Sequence, residues 1–247
     1  MLSYNTNYNF AITAHRGASG LVKFENTLEA FEKAIEVKAD SIECDLRRTS
    51  DGIIIINHNK DIASYIIKDN TYEFLANKCE EIGYHLATLE ETINLVKNRI
   101  IIDFEIKEEG YEEEIYNIIS SKLNPSEYYI RSFFESSLIK FKQLNKEIKT
   151  VLLLGTGEPK HKFFTRVAEF FPAGKIRKCK PDFVSPHYQI LILNFCKRMK
   201  RHNVGVLVWT VNDRELILKC LKKGVMGVVT NYPDLAIEIS NELSKEI

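Results

Sequence analysis

The chain has 247 residues, and its 34 Lys+Arg are balanced by 34 Asp+Glu. A dedicated nucleic-acid binder needs a basic surplus, so a formal net charge of zero argues against one. With 45% hydrophobic and 28% charged residues, the composition is that of an ordinary globular chain and excludes global disorder.

The first fourteen residues carry no Lys or Arg and no long apolar run, which predicts no secretory leader. The first β-rich run is Phe10 to Ala14. A helix follows from Thr27 to Val37, with Leu28, Phe31 and Ile35 on one face. Asn26 with Glu29 three residues on reads as its N-terminal cap. Strands are predicted over Ser41 to Leu46 and Ile53 to Asn57, joined by the turn signature Ser50-Asp51-Gly52. Residues 59 to 87 form a more polar insertion with a short helix around Thr71 to Asn77. Thr88-Leu89-Glu90-Glu91 is a capping box that opens a helix running to Val96.

Strands then recur at Ile100 to Ile106, Tyr128 to Arg131, Thr150 to Leu154, Phe183 to Ser185, Gly205 to Trp209 and Gly227 to Thr230. Helices follow them near Glu112 to Lys122, Ser136 to Leu144, Lys160 to Phe171, Ile190 to Arg201, Asp213 to Lys222 and Pro233 to Leu243. With the 53–57 run set aside, eight strand–helix pairs predict an α/β fold. This is a TIM (β/α)8 barrel with a short insertion after the second strand, as one domain over 1–247. A doubly wound open sheet would leave some of these units unplaced. No stretch approaches the roughly 18 apolar residues of a membrane span. The five cysteines (Cys44, Cys79, Cys179, Cys196 and Cys220) are scattered without a CxxC pair. They read as reduced, mostly buried thiols of a cytoplasmic protein.

Chemistry in such a barrel lies at the C-terminal ends of the strands. Strand one ends Ala14-His15-Arg16-Gly17, the second strand holds Glu43-Cys44-Asp45, and the next extended run ends Asn57-His58. The third barrel strand ends Glu105-Ile106-Lys107, and the seventh ends Trp209-Thr210-Val211-Asn212. Strand alternation puts Glu43 and Asp45 on one side and Glu105 and Lys107 on one side. Three carboxylates aimed into one mouth repel each other. Two arrangements relieve that repulsion: a hard divalent cation, Ca²⁺ or Mg²⁺, or salt bridges to Arg16 and Lys107. His15 and His58 at strand ends suit acid–base work near neutral pH. His187, after Ser185-Pro186, is placed to reach the mouth. His161 and His202 read as surface positions, and His85 falls in the insertion.

These residues resemble the glycerophosphodiester phosphodiesterase family. The resemblance rests on His15-Arg16-Gly17, Glu25-Asn26-Thr27, Ala30-Phe31, Ala39-Asp40, Ile42-Glu43-Cys44-Asp45, Asp51-Gly52 and His58. It continues in order through Thr88 to Glu91, Glu105 to Lys107, Ser132-Phe133, Trp209 to Asn212, Gly224 to Gly227 and Thr230 to Asp234. The resemblance implies hydrolysis of glycerophosphodiesters to glycerol 3-phosphate and an alcohol. It implies His15 and His58 as the acid–base pair, and Glu43, Asp45 and Glu105 as ligands of one divalent cation. Arg16, Lys107 and Trp209 are then substrate contacts, with Glu25 in the same mouth. Three positions depart from the family pattern: Phe24 for proline, Asn59 for aspartate after the second histidine, and Met226 for aspartate before Gly227.

Residues 155–182 are the least family-like. They hold Phe163, Phe164, Phe170 and Phe171 with Lys175, Arg177, Lys178 and Lys180. One reading is a helix packed on the barrel beside a solvated basic loop. The other is a rim for lysophospholipid-like substrates, with peripheral membrane contact. Two further functions compete with a phosphodiesterase. One is a sugar-phosphate isomerase or aldolase using Lys107, and the other is a non-enzymatic barrel in which Asn59 marks decay.

Overall fold

The computed structural model describes residues 9–155 and 169–245. Strand β1 (Ala11–His15) leads to α1 (Leu28–Glu36) and then β2 (Ser41–Arg48). β3 (Ile54–Ile56) follows, and the insertion after it holds β4 (Asp61–Ile62), β5 (Tyr65–Ile66) and α2 (Tyr72–Ile82). Next come α3 (Leu89–Val96), β6 (Ile101–Ile106), α4 (Glu112–Ser120), β7 (Tyr128–Ser132), α5 (Glu135–Leu144) and β8 (Lys149–Leu154). The chain ends with α6 (Ala173–Cys179), β9 (Phe183–Pro186), α7 (Phe195–Arg201), β10 (Gly205–Val208), α8 (Arg214–Lys222), β11 (Gly227–Thr230) and α9 (Pro233–Lys245).

Eight strands close into a parallel barrel in the order β1-β2-β6-β7-β8-β9-β10-β11, with β11 pairing back onto β1. This is the predicted (β/α)8 architecture. β2 is long enough to outrun the barrel, and its end pairs antiparallel with β3 through Leu46↔Ile56, Arg47↔Ile55 and Arg48↔Ile54. Side chains facing the helices form the main core, in which Ile12, Ile42, Ile102, Phe104, Ile130, Leu152 and Val228 alternate with inward-facing neighbours. Inside the barrel, Ala11, Tyr129, Val151, Phe183 and Leu207 form an apolar floor. A Cβ on Gly205 would fall 2.6 Å from Met226 Sδ and 2.7 Å from the Phe183 ring, so the floor needs glycine there. Met226 thus packs over the barrel's lower end. Above the floor the lining turns polar, with Thr13 and Ser41 hydroxyls 2.8 Å apart and a buried Arg131–Asp103 ion pair.

Four local expectations change. Thr27, not Asn26, caps α1: its side chain accepts from the Ala30 N–H at 3.2 Å, while the Asn26 amide is engaged by Asp45. The insertion helix runs on to Ile82 and stops at Gly83, whose φ of +102° only glycine adopts readily. Residues 190–201 are not one helix, because Leu193 and Asn194 take φ of +51° and +53° and interrupt it before α7. Within 155–182, Lys175, Arg177 and Lys178 stand on a helix rather than a loop. Phe170 packs on the core and Phe171 is 55% exposed. Phe163, Phe164, His161 and the predicted helix over 160–168 lie outside the described residues. No helix among the described residues is long and apolar enough to cross a membrane.

The α3 capping box forms as the sequence predicts. Thr88 Oγ1 accepts the Glu91 N–H, and the Glu91 carboxylate accepts the Thr88 N–H at 2.8 Å. Thr88→Ala should therefore lower stability by about 1 kcal/mol. Urea unfolding would register this as a lower midpoint with an unchanged slope.

Candidate active site

The strand ends bring three carboxylates together. One oxygen from each of Glu43, Asp45 and Glu105 falls in a group whose members all lie within 4.8 Å of one another, and all three residues are buried. Glu43 and Asp45 leave β2 on one side, as period-two alternation requires, and β6 sets Glu105 level with Asp45. Among the described residues, Glu43 Oε1 is buried without a hydrogen-bond partner. Burial, and then the Asp45 and Glu105 charges, push the Glu43 carboxyl well above the usual carboxylate range. Buried carboxylates in this state are relieved by a bound cation. An all-oxygen donor set suits a hard divalent ion rather than a thiophilic one. The residues therefore fit the group that the sequence predicts.

Cationic side chains stand around the same cluster. The Lys107 ammonium lies 2.7 Å from Glu105 Oε1 and 3.2 Å from Asp45 Oδ1. Burial works against that ammonium, but Glu105 and Asp45 outweigh it and raise its pKa above the ordinary value. A Schiff-base lysine must lose its proton, so this geometry disfavours the aldolase alternative. Arg16 donates its backbone N–H to Glu43 Oε2 at 3.0 Å, and its Nε is 3.4 Å from Asp45 Oδ2. Its φ of +56° is uncommon for a non-glycine residue, and Asn26 fixes the turn by donating its N–H to the Arg16 carbonyl at 2.9 Å. The Asn26 amide also donates to Asp45 Oδ2 at 2.8 Å. Burial opposes ionisation of Asp45, but Lys107 and then Arg16 hold its carboxyl below the ordinary value. Glu25, largely exposed, pairs with Arg16 at 2.6 Å.

The two histidines face this cluster from different elements. His15 ends β1, with Nε2 3.9 Å from Glu43 Oε2. Burial, and then the Arg16 charge, push its imidazole down to about 3, so it is neutral at physiological pH. His58 follows β3 in a loop tied to Asp45 by the Asn57 N–H, which donates to the Asp45 carbonyl at 2.9 Å. Burial also lowers the His58 pKa, though Asp45 opposes the shift. Asn59 Oδ1 lies 3.1 Å from His58 Nδ1, so the residue that departs from the family pattern holds the ring. Arg47 secures the backbone: its Nε and Nη2 donate to the His58 carbonyl at 3.0 and 2.7 Å, while Nη1 pairs with Glu108.

Trp209 stands just past β10, two strands round the barrel from β1. Its indole N–H donates to the Ser185 carbonyl at 2.8 Å. Its ring meets Phe133 and His187 edge to face, at 5.9 and 5.3 Å between centroids. His187 thus joins an aromatic wall. His85 is half-exposed and pairs with Glu91 at 2.9 Å, and His202 is exposed. Phe24, in place of proline, stacks on Tyr84 of the insertion at 4.8 Å. Sequence reasoning missed the supports: Asn26, read as a cap, and Arg47 and Asn231, given no part.

The family model for glycerophosphoryl diester phosphodiesterases matches residues 15–235. The chain is 28% identical to a glycerophosphodiester phosphodiesterase of Bacillus subtilis (strain 168), over 90% of this chain and 83% of that one. It is 25% identical to a lysophospholipase D of Mus musculus, over 90% of this chain and 79% of the other. Among solved structures, a glycerophosphodiester phosphodiesterase from Thermotoga maritima superposes with a TM-score of 0.77 at 25% identity. It covers 95% of this chain and all of its own. With the match spanning both histidines and all three carboxylates, the chain belongs to the glycerophosphoryl diester phosphodiesterase family and is a phosphoric diester hydrolase.

Proposed function

We propose that this chain hydrolyses glycerophosphodiesters to glycerol 3-phosphate and an alcohol, with one bound divalent cation, Ca²⁺ or Mg²⁺, and with His15 and His58 as the acid–base pair. The observation that carries this reading is the buried cluster of Glu43, Asp45 and Glu105 oxygens, with its unpartnered Glu43 Oε1, between two histidines. Glu43, Asp45 and Glu105 would hold the cation, which supplies positive charge against the phosphoryl oxygens. Arg16 and Lys107 add fixed cationic charge where the transition state gathers negative charge. One imidazole removes the proton of the attacking hydroxyl as its oxygen bonds to phosphorus. The bond from phosphorus to the departing alcohol breaks, and the other histidine gives that oxygen a proton. The attacking group is water, giving glycerol 3-phosphate directly, or the neighbouring glycerol hydroxyl, giving a cyclic phosphate that a water then opens with the two histidines exchanging roles.

Trp209, with Phe133 and His187, offers an apolar face for the glycerol or the alcohol. A second reading, lysophospholipase D-type activity with peripheral membrane contact through 155–182, is favoured by the exposed Phe171 ring beneath the Arg198 guanidinium, 4.7 Å away. We also read the chain as one domain, and its free, buried cysteines support a cytoplasmic setting. Turnover of glycerophosphocholine and lysophosphatidylcholine, with and without EDTA, tests these readings together. Glycerophosphocholine is expected to be cleaved only in the absence of chelator. Glu43→Gln keeps the size and removes the charge, so cation affinity and turnover should fall together. Turnover indifferent to EDTA removes the cation from the reading, and turnover of neither substrate removes the activity.

A further inference from the structure

Asn231 follows β11, the strand that pairs with β1 through Ala14↔Thr230 and so stands beside His15. Its Oδ1 lies 2.7 Å from His15 Nδ1. We propose that Asn231 is the positioning residue of His15: it accepts the Nδ1–H, selects that tautomer, and turns the unprotonated Nε2 toward the carboxylate cluster. The inference rests on the phosphodiesterase reading above.

An amide oxygen beside a ring nitrogen can only accept, so the proton must sit on Nδ1. A neutral imidazole carries one N–H, which leaves Nε2 with a lone pair. Nε2 is the nitrogen 3.9 Å from Glu43 Oε2, on the side where a substrate proton would be taken up.

Asn231 is itself held at several points. Its backbone N–H donates to Asn212 Oδ1 at 2.9 Å, and its carbonyl accepts the Gly20 N–H at 2.9 Å. Asn212 Oδ1 also accepts the Thr230 hydroxyl at 3.2 Å. Gly20 has to be glycine for this contact, since a Cβ there would fall 2.4 Å from the Tyr232 ring. On the other side, the Ser19 hydroxyl donates to the His15 carbonyl at 2.8 Å. Thus the histidine backbone and its Nδ1 are both fixed, and the motif Thr230-Asn231-Tyr232 acquires a purpose. His58 carries a looser version of the device, because its amide partner Asn59 is adjacent in sequence and exposed.

The test begins with the unmutated protein. Imidazole ¹⁵N chemical shifts and couplings report which His15 nitrogen is protonated, with His15→Gln giving the assignment. The expected result is the Nδ1–H tautomer, with and without added Ca²⁺. An Nε2–H tautomer overturns the proposal, and this measurement needs no variant of Asn231. In the second arm, Asn231→Leu should lower kcat about 10- to 100-fold, leaving KM and Ca²⁺ affinity near normal and tautomers mixed. Asn231→Asp, which keeps the acceptor, should recover most of that loss. A folded Asn231→Leu protein that keeps kcat within about twofold, or an aspartate variant no better than leucine, overturns it too. Failure of the parent reading looks different: the unmutated protein would not turn over glycerophosphodiesters, whatever the His15 tautomer.

Discussion

His15→Ala and His58→Ala should each lower kcat on glycerophosphodiesters by at least about 10² to 10⁴ while leaving the fold and the cation site intact. The expectation rests on placement. His15 closes β1 beside Glu43, and His58 is held next to Asp45 by the loop that follows β3, further along the same edge of β2. In-line displacement at phosphorus sets the attacking and departing oxygens on opposite sides, so one imidazole cannot serve both. Because the two act as a unit, the double variant should be little slower than the poorer single one. A p-nitrophenyl phosphodiester, whose leaving group needs no proton, should rescue only the variant that lacks the acid. Steady-state kinetics at saturating metal decide the matter. A variant that keeps near-normal kcat marks its histidine as structural.

The second large effect is on stability. Asp103 sits one layer below Glu105 on β6, and Arg131 reaches it from β7 through Nε at 3.0 Å and also through Nη2. Both side chains are essentially sealed, at 0% and 2% exposure. Burial raises the Asp103 pKa in spite of Arg131, which is what a dry environment does to a carboxylate. Arg131→Met strands that carboxylate and should cost about 3–5 kcal/mol in the metal-free protein, read from the urea midpoint. Adding Asp103→Leu removes the stranded charge and should recover much of the loss. If the single variant unfolds at the wild-type midpoint, the pair contributes little, and the barrel's middle layer is held by its apolar neighbours instead.

The barrel was legible because hydrophobic alternation repeats eight times with helical stretches between. The carboxylate trio was legible for the same reason: Glu43, Asp45 and Glu105 fall on one side of their strands by period two. The same rule, carried one step down β6, would have found Asp103 as an inward charge needing Arg131. The supports of the site were harder to see. Asn26 carries the same cap signature as a helix N-terminus, and only the fold shows its amide taken up by Asp45. Arg47 lies on a strand whose register with β3 no local pattern specifies, and Asn231 meets His15 only because β11 closes onto β1. Long-range juxtaposition is the product of barrel closure, which single-strand periodicity does not encode.

Arg47 has one more consequence. It grips the His58 carbonyl from a barrel strand, upstream of the hairpin and helix that make up the insertion. His58 is therefore moored to the frame before the chain departs into residues 60–86. Extra length in such an excursion carries a closure cost that grows only logarithmically. Exchanging it between related barrels should redraw the wall that Phe24 and Tyr84 form, while Arg47 keeps its hold on the His58 carbonyl, so long as the new segment still packs on Ile55 of β3.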